Sequence, residues 1–133
     1  MNAIECLVGA LRQSLGILDS MLTDLKDTDY DHIPCWGANN LRWIMGHLAD
    51  ADRQLLVRLG ARPPEEMVSF ERLRNELLER VVTLPASELD RHVDAGPLAN
   101  TLGVLLSLAA LHTMLHAGQV STIRRSLGYP PVF

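Results

Sequence analysis

Apolar residues recur at three- and four-residue spacing through the first 25 positions: Ile4, Leu7, Val8, Leu11, Leu15, Leu18, Met21, Leu22 and Leu25. That period lays one apolar stripe along a helix predicted from about Asn2 to Leu25. The polar run Asp27–Asp31 breaks it with residues that favour turns. A second helix is expected to begin after Asn39 or Asn40, either an effective N-cap, and to close near Gly60. Its inward face reads Trp43 or Ile44, then His47, Leu48, Ala51 and Leu55. Beyond the stiff connector Arg62-Pro63-Pro64, a third helix is predicted from Ser69 to Leu84, with Phe70, Leu73, Leu77, Val81 and Leu84 inward. Pro85 ends it, and one extra turn can start within residues 85–90. The fourth helix is expected from Leu98 to Leu127. One face carries Leu98, Leu105, His112, His116, Gln119 and Ile123; the opposite face carries Gly103, Ser107, Ala110, Met114, Ala117 and Ser121. Four long helices joined by loops predict an all-α four-helix bundle, a single domain over residues 1–133.

Composition narrows the possibilities. With 47% hydrophobic and 21% charged residues, 133 residues suffice for one compact domain. A net charge of −4 and the lack of a basic stripe argue against a nucleic-acid partner. The arginines of Glu71-Arg72-Leu73-Arg74-Asn75-Glu76 alternate with acids, a pattern read as a solvated helix face. From Ala95 to Ile123 there is no charge, a stretch long enough to span a bilayer. Yet Asn100, Ser107, His112, His116 and Gln119 interrupt it and no aromatic belt flanks it. The core helix of a bundle is therefore preferred to a single span, and no membrane partner is expected. Cys6 and Cys35 form neither a zinc-type spacing nor a disulfide framework, and Cys6 is expected in the core. The first residues lack the basic and apolar runs of a signal peptide, so the cytoplasm is the expected compartment.

The candidate chemistry is concentrated in His112 and His116. Four residues apart on a helix, both rings project from one face, which is how a single helix offers two imidazole nitrogens to one cation. The alternative is a pair of buried, hydrogen-bonded core histidines. Gln119, one turn on, could bond a ligand ring or a substrate, or simply meet a loop. His47 lies mid-helix among apolar neighbours, where a lone histidine is usually a satisfied core residue; Asp50 and Gln54 flank that face and could orient its ring. The loop Tyr30–Gly37 contributes His32, Cys35 and Trp36, either as the rim of a site or as a plug for the bundle end. His92 is assigned no role.

Two blocks make a family resemblance visible. Asn39-Asn40-Leu41-Arg42-Trp43-Ile44-Met45-Gly46-His47-Leu48-Ala49-Asp50 resembles the second helix of the DinB/YfiT-like family. His112-Thr113-Met114-Leu115-His116-Ala117-Gly118-Gln119-Val120, continuing through Arg124-Arg125-Ser126-Leu127-Gly128, resembles its fourth. The resemblance implies a bundle holding a divalent metal, zinc or nickel, through three histidines, here His47, His112 and His116. It implies a metal-dependent transferase acting with a low-molecular-weight thiol, or a metal-dependent hydrolase; the alternative is a non-catalytic metal-binding or interaction module. The motifs fix no general acid or base. The charge-free, small-residue face of the fourth helix, Gly103 through Ser121, further leads us to expect a homodimer with that helix near its interface.

Overall fold

The computed structural model describes residues 1–133, with four helices: α1 (Ala3–Leu22), α2 (Leu41–Arg58), α3 (Phe70–Val82) and α4 (Leu102–Ser126). Their starts follow from short polar side chains that satisfy otherwise unpaired N–H groups. Asn2 accepts from the Glu5 amide while Glu5 accepts from that of Asn2, each at 2.9 Å. Asn40 caps α2, Ser69 caps α3, and Thr101 caps α4. Gly60, at φ +80°, turns the chain out of α2 in the left-handed conformation that glycine adopts without strain. The polar run Asp27–Asp31 and the segment Ala86–Asp90 each form a 3-10 turn. α4 begins four residues later than its apolar pattern suggests. Val93 and Leu102 are bonded to Asn100 and Arg91, and His92 bridges to Thr101, so the preceding chain is a small hairpin.

Contacts between helix ends give the topology. Arg124, near the end of α4, donates to the Met21 carbonyl at the end of α1, so these two helices run parallel. The His32 ring meets Ser126 while Arg58 donates to the Asp94 carbonyl, so α2 runs against α4. Phe70 packs with Leu15, Leu18 and Ile44, and Val81 packs with Ile4, Leu7 and Leu56, which sets α3 parallel to α2. The order is up-down-down-up, and the α2–α3 connection must cross the bundle's length. Arg53 holds that crossover by donating to the carbonyls of Pro64 and Glu66.

The core falls into two apolar halves. One gathers Leu7, Leu11, Leu56, Leu77 and Leu106; the other gathers Leu18, Leu41, Ile44, Leu48 and Val120. Between them lies a polar layer. Arg74 of α3, fully buried, donates Nε to Asp52 Oδ2 at 2.6 Å and Nη2 to Asp52 Oδ1 at 3.0 Å. It also donates to the Leu11 carbonyl and Ser14 Oγ of α1, and to Thr113 Oγ1 of α4. One guanidinium thus touches all three other helices. Burial raises the Asp52 carboxyl above its ordinary value, against the opposing pull of Arg74.

Several expectations are corrected here. Arg74 is not on a solvated face; its neighbours Glu71, Arg72 and Asn75 are, or nearly so. Cys6 is exposed, turned away from the stripe that buries Leu7 and Val8. Trp36 is fully exposed and plugs nothing, and Ile44, not Trp43, is the buried member of that pair. Ala110 and Ala117 lie in the monomer's own core and Gly103 packs closely on Leu89, so the small-residue face is split: only Ser107, Met114 and Ser121 remain towards the outside. α4 has the length and hydropathy of a membrane span, but its inner face packs on α1 and α2 and carries buried Thr113 and Arg124.

Two outcomes follow from this layer and from the bundle's end. Arg74→Met leaves a buried carboxylate unpaired and should lose about 3–5 kcal/mol in urea unfolding, whereas Arg74→Met with Asp52→Leu should recover most of it. Additive losses would contradict the ion pair. At the bundle's end, hydrogen bonds from Arg124 to Asp24 and from Tyr129 to Asp29 hold both carboxyls below their ordinary value. Their contribution is complete above the unfolded value of 3.8 and is lost as pH falls through the lower folded values. Asp24→Asn should therefore flatten the acid limb of the melting-temperature profile below about pH 4.

Candidate metal centre

His47 comes from the middle of α2, and His112 and His116 come from the middle of α4, on facing turns of the antiparallel pair. The Nε2 atoms of His47 and His112 are 3.0 Å apart, and those of His116 and His112 are also 3.0 Å apart. All three candidate ligand atoms lie within 4.8 Å of one another. Zinc–nitrogen bonds of 2.0–2.1 Å at tetrahedral angles require N···N separations of about 3.3 Å. The two contacts to His112 are therefore within a few tenths of an ångström of ligand spacing, and the third pair closes within 4.8 Å.

Its hydrogen bonding fits a cation equally well. His116 Nδ1 lies 2.7 Å from Gln119 Oε1, an acceptor, so Nδ1 carries the proton and Nε2 of the neutral ring presents its lone pair inward. Gln119 thus does the first of the two jobs considered for it. Neutral rings cannot place a well-directed proton in every one of these nitrogen contacts; a cation would use all three lone pairs. His112 is held below the ordinary imidazole value, chiefly by burial and then by His116, His47 and Arg74, which keeps it neutral and able to ligate. Trp43 stacks on His47, with ring centroids 4.7 Å apart and planes 15° apart, and stands edge-on to His116 at 6.3 Å. This half-exposed indole covers one side of the triad, a role that the inward-face pattern of α2 does not assign to Trp43. The signal was its position one turn before His47 on the same face.

The other expected neighbours lie elsewhere. Asp50 is exposed and has no bond to any ring, and Gln54 lines a cleft instead. The Tyr30–Gly37 loop does not form the rim. His32 bonds Ser126, ten residues beyond His116 and so about 15 Å along the helix, and Cys35 is exposed. The opening beside the triad is a cleft of about 750 Å³ between α2 and α4, lined towards one end by His112 and Leu115 and bordered at the other by Arg58 and Asp94.

No curated protein and no solved structure matches the chain. A family model does, that of the DinB superfamily, over residues 10–120. The match runs from the middle of α1 into the last third of α4 and takes in all three histidines with the helices that carry them. The chain is a four-helix bundle whose second and fourth helices bring three imidazoles together, and by that match it belongs to the DinB superfamily.

Proposed function

We propose that His47, His112 and His116 hold one divalent cation, zinc or nickel, and that the chain is a metal-dependent transferase acting with a low-molecular-weight thiol. The observation that carries this reading is the convergence of three Nε2 atoms with a cleft on one side. Three protein ligands with an open side are the donor set of a catalytic centre, while a structural site is closed by four. A cation bound there supplies Lewis acidity, which lowers the pKa of a thiol or water beside it.

The chain's own residues favour the thiol over water. Hydrolysis ordinarily needs a positioned base to manage the water's second proton. Both oxygens of Asp52, the buried carboxylate nearest this region, are occupied by Arg74, and no carboxylate bonds any triad ring. A thiol would need no such group, because loss of its single proton, which a cation held by the three histidines would favour, leaves the nucleophile itself. Within this scheme Gln119 fixes the His116 tautomer, Trp43 orients His47 and excludes water from one side, and burial keeps His112 neutral.

A cation that binds only the folded protein stabilises it by about 2.7 kcal/mol at a hundredfold excess over Kd, or roughly 10 °C in a domain of this size. Chelation should lower the melting temperature by that order, and zinc or nickel should restore it. His47→Ala, His112→Ala and His116→Ala should each abolish the shift, and His92→Ala should keep it. Gln119→Ala should retain a metal site ten- to a hundredfold weaker. An unchanged melting curve, with no metal in protein purified without metal-affinity chromatography, would make the three histidines core residues.

Turnover separates enzyme from binder. The metal-loaded protein should consume a small thiol in the presence of an electrophile, and the three histidine variants should not. Stable metal loading without any such consumption would point to the non-catalytic module.

A further inference from the structure

The cleft beside the triad has a character of its own. Its floor includes Leu55 and Ala109, both buried, and its outer wall is formed by side chains that water would otherwise surround. Leu98 is 71% exposed, and Leu111 and Leu115 are each 65% exposed. Scattered leucines on a surface need no explanation, but three on the rim of one concavity do. Leu105 and Leu108 continue the lining inward. Between Leu105 and His112 the cleft follows seven residues of α4, a length of about 10 Å.

Charge is confined to its ends. Asp52 reaches the lining, but its carboxylate is taken by Arg74. Arg58 and Asp94 stand together at the far mouth, where Arg58 donates to the Asp94 main-chain carbonyl and neither side chain forms an ion pair. Between the mouth and His112 the lining is mainly leucine and alanine, with the uncharged Gln54 on the α2 side, and it reaches a ring of the candidate metal centre. Ligand sites combine such walls with a few polar groups at one end.

We propose that this cleft is a substrate subsite for an aliphatic body about 10 Å long, a medium-length unbranched chain, whose reactive end lies beside His112. The proposal rests on the metal-centre reading for the position of the reactive end and on the cleft alone for the apolar body. The occupant is a small molecule because the groove is continuous with the triad and carries no free charge along its length. A longer or strongly charged ligand would have to pass the Arg58–Asp94 mouth.

The test uses neutral probes. For the zinc-loaded protein, calorimetry would compare 2-mercaptoethanol, 6-mercaptohexan-1-ol and 8-mercaptooctan-1-ol. Each methylene carried into an apolar cleft tightens binding by up to about fourfold, so the longest thiol should bind on the order of a hundredfold or more tighter than the shortest. Leu108→Asp should remove most of that gain, and Val82→Asp, on the exposed side of α3, should leave it intact. For the metal-free protein, octan-1-ol should shift the methyl resonances of Leu105, Leu108, Leu111 and Leu115 in a saturable way. A flat length series on zinc-loaded protein overturns the proposal and leaves the metal centre standing. Failure to load zinc overturns the metal reading instead, and the octan-1-ol titration then decides the cleft by itself. Self-association lost in Leu111→Asp, with no octan-1-ol binding to the wild type, would show that a second copy of the chain covers the groove and would also overturn the proposal.

Discussion

Removing a guanidinium from water is among the costlier things a small bundle can do, and this chain does it with Arg74 at the centre of the molecule. The burial is tolerable only because every neighbouring helix supplies a partner: Asp52 from α2, Ser14 and the Leu11 carbonyl from α1, Thr113 from α4. The consequence is one of register. Apolar side chains allow helices to slide or rotate at modest cost, but a fork of fixed donor directions does not. The two apolar halves of the core supply most of the driving force, and the layer between them selects one arrangement.

The same selection reaches the histidine triad, which needs α2 and α4 held at one relative height. Asp52 lies five residues beyond His47 on α2, and Thr113 follows His112 directly on α4. The ion-pair layer and the triad are therefore neighbouring storeys of the same pair of helices. The long crossover between α2 and α3, pinned by Arg53, keeps α3 parallel to α2 so that Arg74 arrives at that level.

Much of this was legible in the residues. The period of the apolar positions gave the helices. Asn39 or Asn40 gave the start of α2, because a short polar side chain before an apolar run has one energetically useful place to be, and Asn2 and Ser69, read as first helical residues, are the caps of α1 and α3. The histidine pair of α4 was legible from spacing, but His47 required the family resemblance: distance in sequence says nothing about which face of α2 meets α4. Arg74 was missed because its neighbours Glu71, Arg72, Asn75 and Glu76 gave the segment a polar look. Its position told more than its surroundings. Arg74 falls between Phe70 and Leu77 on the inward stripe of α3, as Asp52 falls between Leu48 and Leu55 on that of α2. Opposite charges in the middle of two apolar stripes are a sign of one buried pair. The rim of the triad was misplaced for a different reason: aromatic, cysteine and histidine residues in the Tyr30–Gly37 loop suggested chemistry, yet the antiparallel run of α2 and α4 carries that loop to the end of the bundle.

The adjacency of His112 and Thr113 has a mechanical meaning. Successive residues on a helix point about 100° apart, so α4 directs His112 into the groove and Thr113 into the interior. Turning α4 about its axis to reshape the triad would pull the Thr113 hydroxyl away from Arg74 and leave buried donors without acceptors. The ligand pair is thus stiff in torsion, like a shaft keyed at the position next to its working tooth. A centre built this way would offer a cation a nearly fixed set of angles on the α4 side, and the adaptable ligand would be His47, whose ring is steadied, outside the triad itself, by a half-exposed indole. Any accommodation between metals of different size or preferred geometry would be taken up by α2.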